Sequence, residues 1–407
     1  MRPAHEKARQ MGRGIAYAAI VITLRAAMRL VLGLRIACDA QVRALKKSRE
    51  AFLVLSQHPS MLDAAVLYAA MYPRRIHTVA GRFQFVGKRS QRLFETLGAI
   101  SKKQFYPDMG CVRQMLGVLR AGGVLAMMPE GRISMDGTSN PIEPSTAAFV
   151  RRCGVSVVVL QLEGSYFVMP CWRKRAVSPG RVRARLRLLY TPQTLAGQTA
   201  AQVRRTLNDA LSYNQFAQNE KRHPRYFGRP AGMSAVTYRC AACGALGTMR
   251  DDGKVMWCTS CGLRLRLRRD RFFDPGDGAC PFESLAAWNA WQMEQERLFF
   301  TDAKALVAYP AVCRPYDNDA RPGTPTSGIV RLGVAGFSYT LRDGTEVFFR
   351  PLEKLTGMSA GYAKGTIMLC TKDGALEFVF QQPCCAAHLV NALTALREKY
   401  SSDGDET

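Results

Sequence analysis

A histidine and an aspartate lie five positions apart in the stretch LSQHPSMLDAAVLYAAMY, residues 55–72. His58 ends a hydrophobic run, and Asp63 lies in the first turns of the helix that we predict at SMLDAAVLYAAMY (60–72). An imidazole, whose pKa is about 6.5, can accept a proton near neutral pH, and a carboxylate one helical turn away can orient it and stabilise its charged form. Taken alone, the pair has a second interpretation, in which His58 caps the helix and Asp63 complements the helix dipole.

Four of the thirteen cysteines are spaced as metal ligands. Cys240 and Cys243 form one Cys-x-x-Cys pair, fourteen residues follow, and Cys258 and Cys261 form the second pair. Four thiolates complete the tetrahedral coordination of Zn²⁺ and leave no position for a reactive water. We therefore predict a structural zinc ion in a zinc ribbon over residues 235–272. The other cysteines show no disulfide framework, which favours a reducing, cytosolic compartment.

Strand and helix signals alternate through the first half of the chain. Buried strands are predicted at AFLVLSQH (51–58), GVLAMMPEG (123–131) and VSVVVLQLEG (155–164), and helices are predicted between them. This alternation indicates an α/β domain with a central sheet, which we place at residues 41–218. The last element of the domain is predicted as one closing helix, TAAQVRRTLNDALSYNQFAQ (199–218).

A second motif, PEGRIS, follows the first, with Glu130 placed 72 residues after His58 at the end of a predicted strand. HPSMLD and PEGRIS, in this order and with strands and helices between them, resemble the glycerol-phosphate and lysophospholipid acyltransferase superfamily. The resemblance covers about residues 20–215. It implies an O-acyltransferase that uses acyl carrier protein or coenzyme A thioesters, acts on 1-acylglycerol 3-phosphate or another lysophospholipid, and needs no catalytic cofactor.

The same resemblance implies roles for individual residues. His58 would be the general base that takes the proton of the acceptor hydroxyl, and Asp63 would orient it. The implied substrate-binding residues are Glu130, Gly131, Arg132, Arg82, Lys102 and Lys103. A guanidinium suits a phosphate because it donates two parallel charged hydrogen bonds. The two lysines stand where the family more often has an arginine.

The excess of positive over negative charge lies entirely in the first part of the chain. Residues 1–230 contain 37 Lys and Arg against 12 Asp and Glu, whereas residues 231–407 contain 20 of each kind. Such a surface attracts an anionic membrane leaflet, an acidic carrier protein or nucleic acid. With the acyltransferase motifs present, membrane lipids and an acyl carrier protein or coenzyme A are the expected partners, and nucleic acid is not. The alternative is a non-catalytic protein that binds lipid or nucleic acid through this surface and the zinc ribbon.

The N-terminal segment, residues 1–40, is predicted to be a helix in the membrane interface. Its apolar run GIAYAAIVITL is followed by Arg25, Arg29 and Arg35, so we expect no membrane-spanning run of about 20 apolar residues. These arginines and Arg13 fall on about one third of the helix circumference, as in helices that lie at lipid phosphates. We predict a peripheral or monotopic protein at the cytoplasmic face. A helix that covers a cytosolic core is the alternative.

The second half of the chain is divided by composition. A basic linker (219–234) precedes the zinc ribbon, and an amphipathic helix with two tryptophans (273–300) follows it. Short strands with RDG and KDG turns, followed by a last helix, make residues 301–400 a β-rich domain in the order found in pleckstrin-homology-like barrels. His388, at the start of that helix, is expected to pack in the core. Residues 401–407 form an acidic tail.

Overall fold

The computed structural model describes residues 4–85, 87–143, 145–173, 177–220, 224–227, 231–274 and 281–402, with the backbone alone for residues 4–13 and 401–402. Parts of five predicted segments lie outside the described residues. They are 1–3 of the N-terminal helix, 86, 144 and 174–176 of the α/β domain, 221–223 and 228–230 of the linker, 275–280 of the amphipathic segment, and 403–407 of the acidic tail. The chain forms two compact units. The first comprises residues 1–103, 107–170 and 179–226, and the second comprises 104–106, 171–178 and 227–407.

A seven-stranded mixed sheet forms the centre of the first unit. Its strands are β1 (Arg35–Cys38), β2 (Phe52–Ser56), β3 (Ile76–Gly81), β4 (Ile100–Lys102), β5 (Val124–Met127), β6 (Ser156–Glu163) and β7 (Arg183–Tyr190). Their spatial order is β1-β7-β6-β2-β5-β3-β4. Strands β6, β2, β5, β3 and β4 are parallel to one another, whereas β7 pairs antiparallel with β6 and parallel with β1. The sheet therefore includes β1, which precedes the predicted start of the domain at residue 41.

Ten helices accompany this sheet in the described part of the first unit. They are α1 (Ala4–Leu32), α2 (Ala40–Lys47), α3 (Asp63–Met71), α4 (Lys88–Leu97), α5 (Met109–Arg120), α6 (Ser145–Cys153), α7 (Ser165–Val168), α8 (Pro192–Ala196), α9 (Ala200–Leu211) and α10 (Gln215–Glu220). All five residues of β2 are buried because helices cover both faces of the parallel sheet. One core lies where alternate residues of β2, such as Leu53 and Leu55, meet Met115 of α5 and Leu207 of α9. Each such side chain contributes about 1.5–3 kcal/mol on burial.

Helix α1 packs one apolar face on its own unit and leaves a second apolar face exposed. Tyr17 and Val21 are buried, whereas Ile15 is 68% exposed and Leu30 is 87% exposed. Gly14–Leu32 is long and apolar enough to cross a membrane, by length and composition only. The expectation that no such run exists is therefore wrong, because two arginines among 19 residues leave the average hydropathy high.

Arg35 does not belong to this helix. It is the first residue of β1 and pairs in register with Arg183 of β7. A turn at Gly33, whose φ is +50°, separates the helix from the strand. Of the four arginines predicted to share one face of the N-terminal helix, Arg25 and Arg29 are the two whose described side chains lie on α1. The side chain of Arg13 lies outside the described residues.

The closing helix predicted at 199–218 is wrong as a single element. It is divided into α9 and α10 by residues 212–214. Asn214 starts the second helix, because its Oδ1 accepts hydrogen bonds from the backbone N–H groups of Phe216 and Ala217. Such a cap stabilises a new helix start and allows the chain to change direction.

The second unit contains two antiparallel sheets. The smaller sheet has the order β11-β10-β9-β8, built from β8 (Met249–Asp251), β9 (Val255–Cys258), β10 (Arg264–Leu267) and β11 (Phe273–Asp274). Its last strand lies beyond residue 272, where the predicted zinc ribbon ends. Helix α11 (Leu285–Phe299) follows within the predicted amphipathic segment.

The larger sheet is made by residues 306–380 and is followed by helix α12 (Cys384–Ser402). Its strands are β12 (Leu306–Asp317), β13 (Thr326–Gly333), β14 (Gly336–Leu341), β15 (Glu346–Pro351), β16 (Ser359–Gly361), β17 (Thr366–Cys370) and β18 (Gly374–Phe380), in the order β15-β14-β13-β12-β18-β17-β16. The domain is β-rich with a C-terminal helix, as expected. Its likeness to pleckstrin-homology barrels stays a prediction.

Candidate active site

The predicted site residues of the first unit follow four adjacent parallel strands. His58 lies just after β2, Glu130 just after β5 and Arg82 directly after β3, while Lys102 ends β4. Because β2, β5, β3 and β4 are neighbours in the sheet and parallel, their carboxyl ends share one edge. That edge is where ligands bind in open α/β sheets. The strand order therefore gathers at one edge residues that are up to 74 positions apart in sequence.

The loop that carries His58 is held by its backbone. The His58 N–H donates to Oε1 of Glu130 at 2.9 Å, and the His58 carbonyl accepts from the N–H of Ser134 at 3.0 Å. Farther along the loop, the Ser60 hydroxyl donates to the carbonyl of Met169. Both backbone groups of His58 are thus bonded to the segment that contains PEGRIS, which explains why the two motifs occur together.

His58 and Asp63 form the predicted pair. Nδ1 of His58 lies 3.1 Å from Oδ2 of Asp63, and the same oxygen accepts from the N–H of Ser60 at 2.6 Å. Asp63 is fully buried at the start of α3, whereas the His58 side chain is 18% exposed. An ionised Asp63 can only accept, so it places the proton of a neutral imidazole on Nδ1. Nε2 is then the basic nitrogen, and no described residue hydrogen-bonds to it.

Burial raises the pKa of Asp63, and the hydrogen bond from His58 opposes this shift by stabilising the carboxylate. The backbone N–H of Ser60 also lowers the pKa of Asp63 through its hydrogen bond to Oδ2. A buried carboxylate without such partners would become neutral. The pair therefore has the electrostatic arrangement of a base and an orienting acid.

Glu130 is held inside the protein. It is 3% exposed and accepts from four donors, which are the His58 N–H, the backbone and side-chain N–H groups of Asn140, and the hydroxyl of Tyr213. Burial raises the pKa of Glu130, and the Asn140 bonds counteract the shift. Both carboxylate oxygens are bonded to protein groups, and Oε1 holds the backbone N–H of His58. The substrate-binding role implied for Glu130 stays a prediction.

Gly131 and Arg132 follow Glu130 in a tight turn. Gly131 has a φ of +67°, which favours glycine because it has no Cβ, and its N–H bonds to the carbonyl of Met128. Arg132 is half-buried, and its Nε donates to Oδ1 of Asn140 at 2.9 Å. This bond uses one edge of the guanidinium and orients the remainder.

The three remaining basic residues lie at the carboxyl ends of β3 and β4, the last two strands at one side of the sheet. Register pairs Gly81 of β3 with Lys102 of β4, so that Arg82 and Lys103 are the next residues along these two strands. All three side chains are half-buried. The N–H of Lys103 donates to Asp108, which caps helix α5. The structure thus places Arg82, Lys102 and Lys103 together at the end of the sheet.

Sequence reasoning missed three residues that build this site. Ser134 was quoted within PEGRIS but not assigned a role, Asn140 lies ten residues after Glu130, and Tyr213 lies in the break between α9 and α10. An asparagine shortly after the Pro-Glu-Gly turn was a weak signal at best. No local pattern indicates that Tyr213 reaches Glu130, 83 residues away.

The four predicted metal ligands of the second unit also come together. The Sγ atoms of Cys240, Cys243, Cys258 and Cys261 all lie within 4.8 Å of one another. Two of the separations are 3.7 Å and 3.9 Å. A tetrahedron with Zn–S bonds of about 2.3 Å has edges of about 3.8 Å. In addition, the N–H of Ser260 lies 3.3 Å from Sγ of Cys258, a contact that stabilises a thiolate. The residues therefore fit a tetrahedral metal ion.

The family model named Acyltransferase matches residues 39–163, a segment that contains both HPSMLD and PEGRIS. Residues 39–163 form an acyltransferase domain. The resemblance inferred from these two motifs is thereby confirmed. No curated protein matches the chain.

Among solved structures, the chain is similar to PlsC, the 1-acyl-sn-glycerophosphate (LPA) acyltransferase from Thermotoga maritima. The TM-score is 0.43 and the sequence identity is 16%. The match covers 54% of this chain and 83% of that protein. The acyltransferase domain contains His58, Asp63, the Glu130 turn and the basic residues of β3 and β4. Tyr213 lies outside residues 39–163.

Proposed function

We propose that this protein transfers a fatty acyl group from a thioester of acyl carrier protein or coenzyme A to the free hydroxyl of a lysophospholipid or of 1-acylglycerol 3-phosphate. The observation that carries the proposal is the His58–Asp63 pair, in which a buried carboxylate holds Nδ1 and leaves Nε2 available. The acyltransferase family match of residues 39–163 supports the reaction class, a transfer that serves lipid synthesis.

The reaction needs one base and no covalent enzyme intermediate. Nε2 of His58 takes the hydroxyl proton while the hydroxyl oxygen attacks the thioester carbonyl carbon. The resulting tetrahedral intermediate collapses, the C–S bond breaks, and the imidazolium returns the proton to the leaving thiolate. Asp63 stabilises the transient imidazolium. Because the loop around His58 is bonded through its backbone, little reorganisation is needed during the transfer.

Acceptor binding is assigned to the basic residues at the same edge. Arg132, Arg82, Lys102 and Lys103 supply the positive charge that a phosphate of the acceptor requires. Asn140 directs Arg132 through its bond to Nε.

The partners follow from surface charge and from helix α1. Ile15, Ile22 and Leu30 on the exposed face of α1 suit a membrane, at its cytoplasmic leaflet, where the lysophospholipid is found. Arginines of β1 and β7, with Arg35 and Arg185 both exposed and on one face of the sheet, suit an acidic acyl carrier protein. These assignments concern the first unit alone.

We also assign a structural Zn²⁺ to the cysteine cluster, with Cys240, Cys243, Cys258 and Cys261 as its four ligands. When bound, the ion would join the turn between β9 and β10, which carries Cys258 and Cys261, to the turn before β8 that carries Cys240 and Cys243, and would leave no position for chemistry. Chelation should therefore lower the stability of the second unit, as followed by tryptophan fluorescence, and added Zn²⁺ should restore it. The strand order of the larger sheet and the helix after it support the pleckstrin-homology-like assignment.

The proposed reaction is tested with the purified full chain, a panel of lysophospholipids that includes 1-acylglycerol 3-phosphate, and both acyl donors, with mass spectrometry of the products. The His58→Ala variant should lose transfer by about 10²- to 10⁴-fold, the range that a general base contributes. His77→Ala is the matched control, because His77 lies on β3 and its Nδ1 bonds to the carbonyl of Gly98.

Wild-type transfer that depends on His58 and is retained in His77→Ala supports the proposal. Turnover in His58→Ala equal to that of the wild type would remove His58 from the mechanism. Absence of transfer with every acceptor, together with lipid binding or steeply salt-dependent nucleic-acid binding, would favour the non-catalytic alternative.

A further inference from the structure

A short segment outside the matched acyltransferase residues joins the parts of the proposed site. Residues 213–215, which we name the clasp, comprise the end of the break between α9 and α10 and the first residue of α10. Tyr213 is 5% exposed, and its hydroxyl donates to Oε2 of Glu130 at 3.1 Å. Oε1 of the same carboxylate holds the N–H of His58. One tyrosine hydroxyl is thus connected to the base through a single carboxylate.

The backbone of the clasp also supports the loop that follows PEGRIS. The carbonyl of Tyr213 accepts from the N–H of Ser139 at 3.0 Å, and the N–H of Gln215 donates to the carbonyl of Gly137 at 2.9 Å. Between these bonds, Asn214 forms an antiparallel bridge with Thr138. The clasp therefore pairs as a short strand with residues 137–139. Asn140, which holds both Glu130 and Arg132, is the next residue along this loop.

Gln215 extends the clasp to strand β6. Its Nε2 donates to the carbonyl of Leu162, and its Oε1 accepts from the N–H of Gly164, each at 2.7 Å. The next residue after Gly164 is Ser165, one of the groups that lower the pKa of Asp63. The clasp thus reaches the surroundings of Glu130, Arg132 and Asp63.

The chemistry of Tyr213 fits a permanent donor. Burial and the neighbouring Glu130 carboxylate raise the pKa of Tyr213 well above its usual value, so the phenol keeps its proton. The hydroxyl can therefore act as a donor to the ionised Glu130 carboxylate, which can only accept. A hydrogen bond to a charged acceptor is also stronger than one between neutral groups.

We propose that the clasp is a positioning element of the acyl-transfer site and that Tyr213 acts on His58 through Glu130. This inference rests on the proposed function, which it deepens by adding residues from beyond the matched domain. Tyr213 does not touch the reacting atoms. Its contribution is to fix the direction of the Glu130 carboxylate, and with it the loop from which Nε2 of His58 approaches the hydroxyl.

The decisive variant is Tyr213→Phe, which removes one oxygen and keeps the ring. Tyr190→Phe is the matched control, because the Tyr190 hydroxyl is buried in the same unit without a hydrogen-bond partner among the described residues. We expect kcat of Tyr213→Phe to fall about tenfold, since small misplacements of a reacting group are costly, and KM for the lysophospholipid to change less than about twofold. Tyr190→Phe should keep both constants.

A second readout does not depend on activity. The His58 amide hydrogen is bonded to Glu130, so its exchange with solvent reports how firmly that carboxylate is held. We expect faster exchange at His58 in Tyr213→Phe than in Tyr190→Phe. A kcat within about twofold of the control, or exchange at His58 equal to that of the control, would overturn the proposal.

The two readouts also separate this inference from the proposed function. If the wild type transfers no acyl group to any acceptor, the proposed function fails, and hydrogen exchange at His58 still decides whether Tyr213 holds the loop. If the wild type is active and Tyr213→Phe matches Tyr190→Phe in both readouts, the clasp has no positioning role and the proposed function stands.

Discussion

Two histidine–carboxylate pairs in this protein have nearly the same separation and different surroundings. In the first unit, Nδ1 of His58 lies 3.1 Å from Asp63, and Nε2 has no partner among the described residues. In the second unit, Nε2 of His388 lies 3.0 Å from Glu296, and Nδ1 lies 2.6 Å from the hydroxyl of Tyr309. Both carboxylates are fully buried.

The difference lies in the second ring nitrogen and in solvent access. The His388 side chain is 5% exposed, and its ring stacks on Tyr238 at 4.6 Å between centroids. Arg239, which precedes the first metal ligand, also bonds to Glu296. With both nitrogens bonded, His388 is a core residue, as the sequence predicted. A base needs one nitrogen that can reach a substrate, and only the first pair provides it.

The largest expected effect would break the first pair. In Asp63→Asn the side chain keeps its shape but loses the charge that stabilises the imidazolium and selects the Nδ1–H tautomer. We expect kcat to fall by about 10²- to 10⁴-fold with little change in KM. Steady-state kinetics with the best acceptor of the panel measure this. Near-normal kcat in a folded Asp63→Asn protein would show that the carboxylate does not assist the base.

Breaking the second pair should lower the stability of the protein. In His388→Ala the buried Glu296 loses one donor and the Tyr309 hydroxyl loses its partner, so we expect the second unit to lose about 2–4 kcal/mol of its unfolding free energy. Urea unfolding followed by tryptophan fluorescence measures this change. His58→Ala serves as the crossed control and should lose activity while leaving the unfolding free energy of the second unit unchanged, because His58 and Asp63 both lie in the first unit. A folded His388→Ala protein with strongly reduced kcat would contradict the contrast between the two pairs.

A change of pH should have a smaller effect on the stability of the protein. Burial raises the pKa of Asp63 and Glu130 above their values in the unfolded chain, so the folded state binds more protons over that interval. These two groups therefore contribute stability that is complete below the ordinary carboxyl pKa, about 4, and is lost as the pH rises through the raised values.

The direction of this pH dependence can be measured by comparing the wild type with a variant that lacks one of the buried carboxyl groups. Unfolding free energies of the wild type and of Asp63→Asn are measured between about pH 4 and pH 7, and the wild type should lose more stability over this interval. Asp209→Asn, an exposed position on α9, is the control and should follow the wild type. Identical pH dependence in the wild type and Asp63→Asn would show that the buried carboxylate is not linked to stability.

Much of the site was predictable because its signals are local. The hydrophobic runs predicted β2, β5 and β6, and the polar motifs at the ends of β2 and β5 predicted His58 and Asp63 as the catalytic pair. The spacing of the cysteines predicted the cluster of four Sγ atoms. In each case the neighbours in sequence restrict the geometry, since a strand end or a two-residue turn leaves few conformations.

The errors arose where distant residues determine the result. Arg35 was placed on a helix because its pattern continues that of α1, but pairing with Arg183 makes it part of a strand. The helix predicted at 199–218 is interrupted because residues 213–215 pair with residues 137–139. The substrate contact implied for Glu130 stays a prediction, whereas its bonds to His58 and Tyr213, 72 and 83 positions away, are ones that no local pattern indicates.

The sequence by itself determined the residue types, namely one histidine and one aspartate at a spacing that lets them meet, a turn that requires glycine at 131, and four thiols in two pairs. The tertiary structure decided which ring nitrogen stays free, because that depends on groups brought from other elements. His58 and His388 each have a carboxylate partner, and the hydroxyl of Tyr309 alone makes the second ring fully bonded. Partners of this kind are separated by 79 or more positions, so no local pattern encodes them.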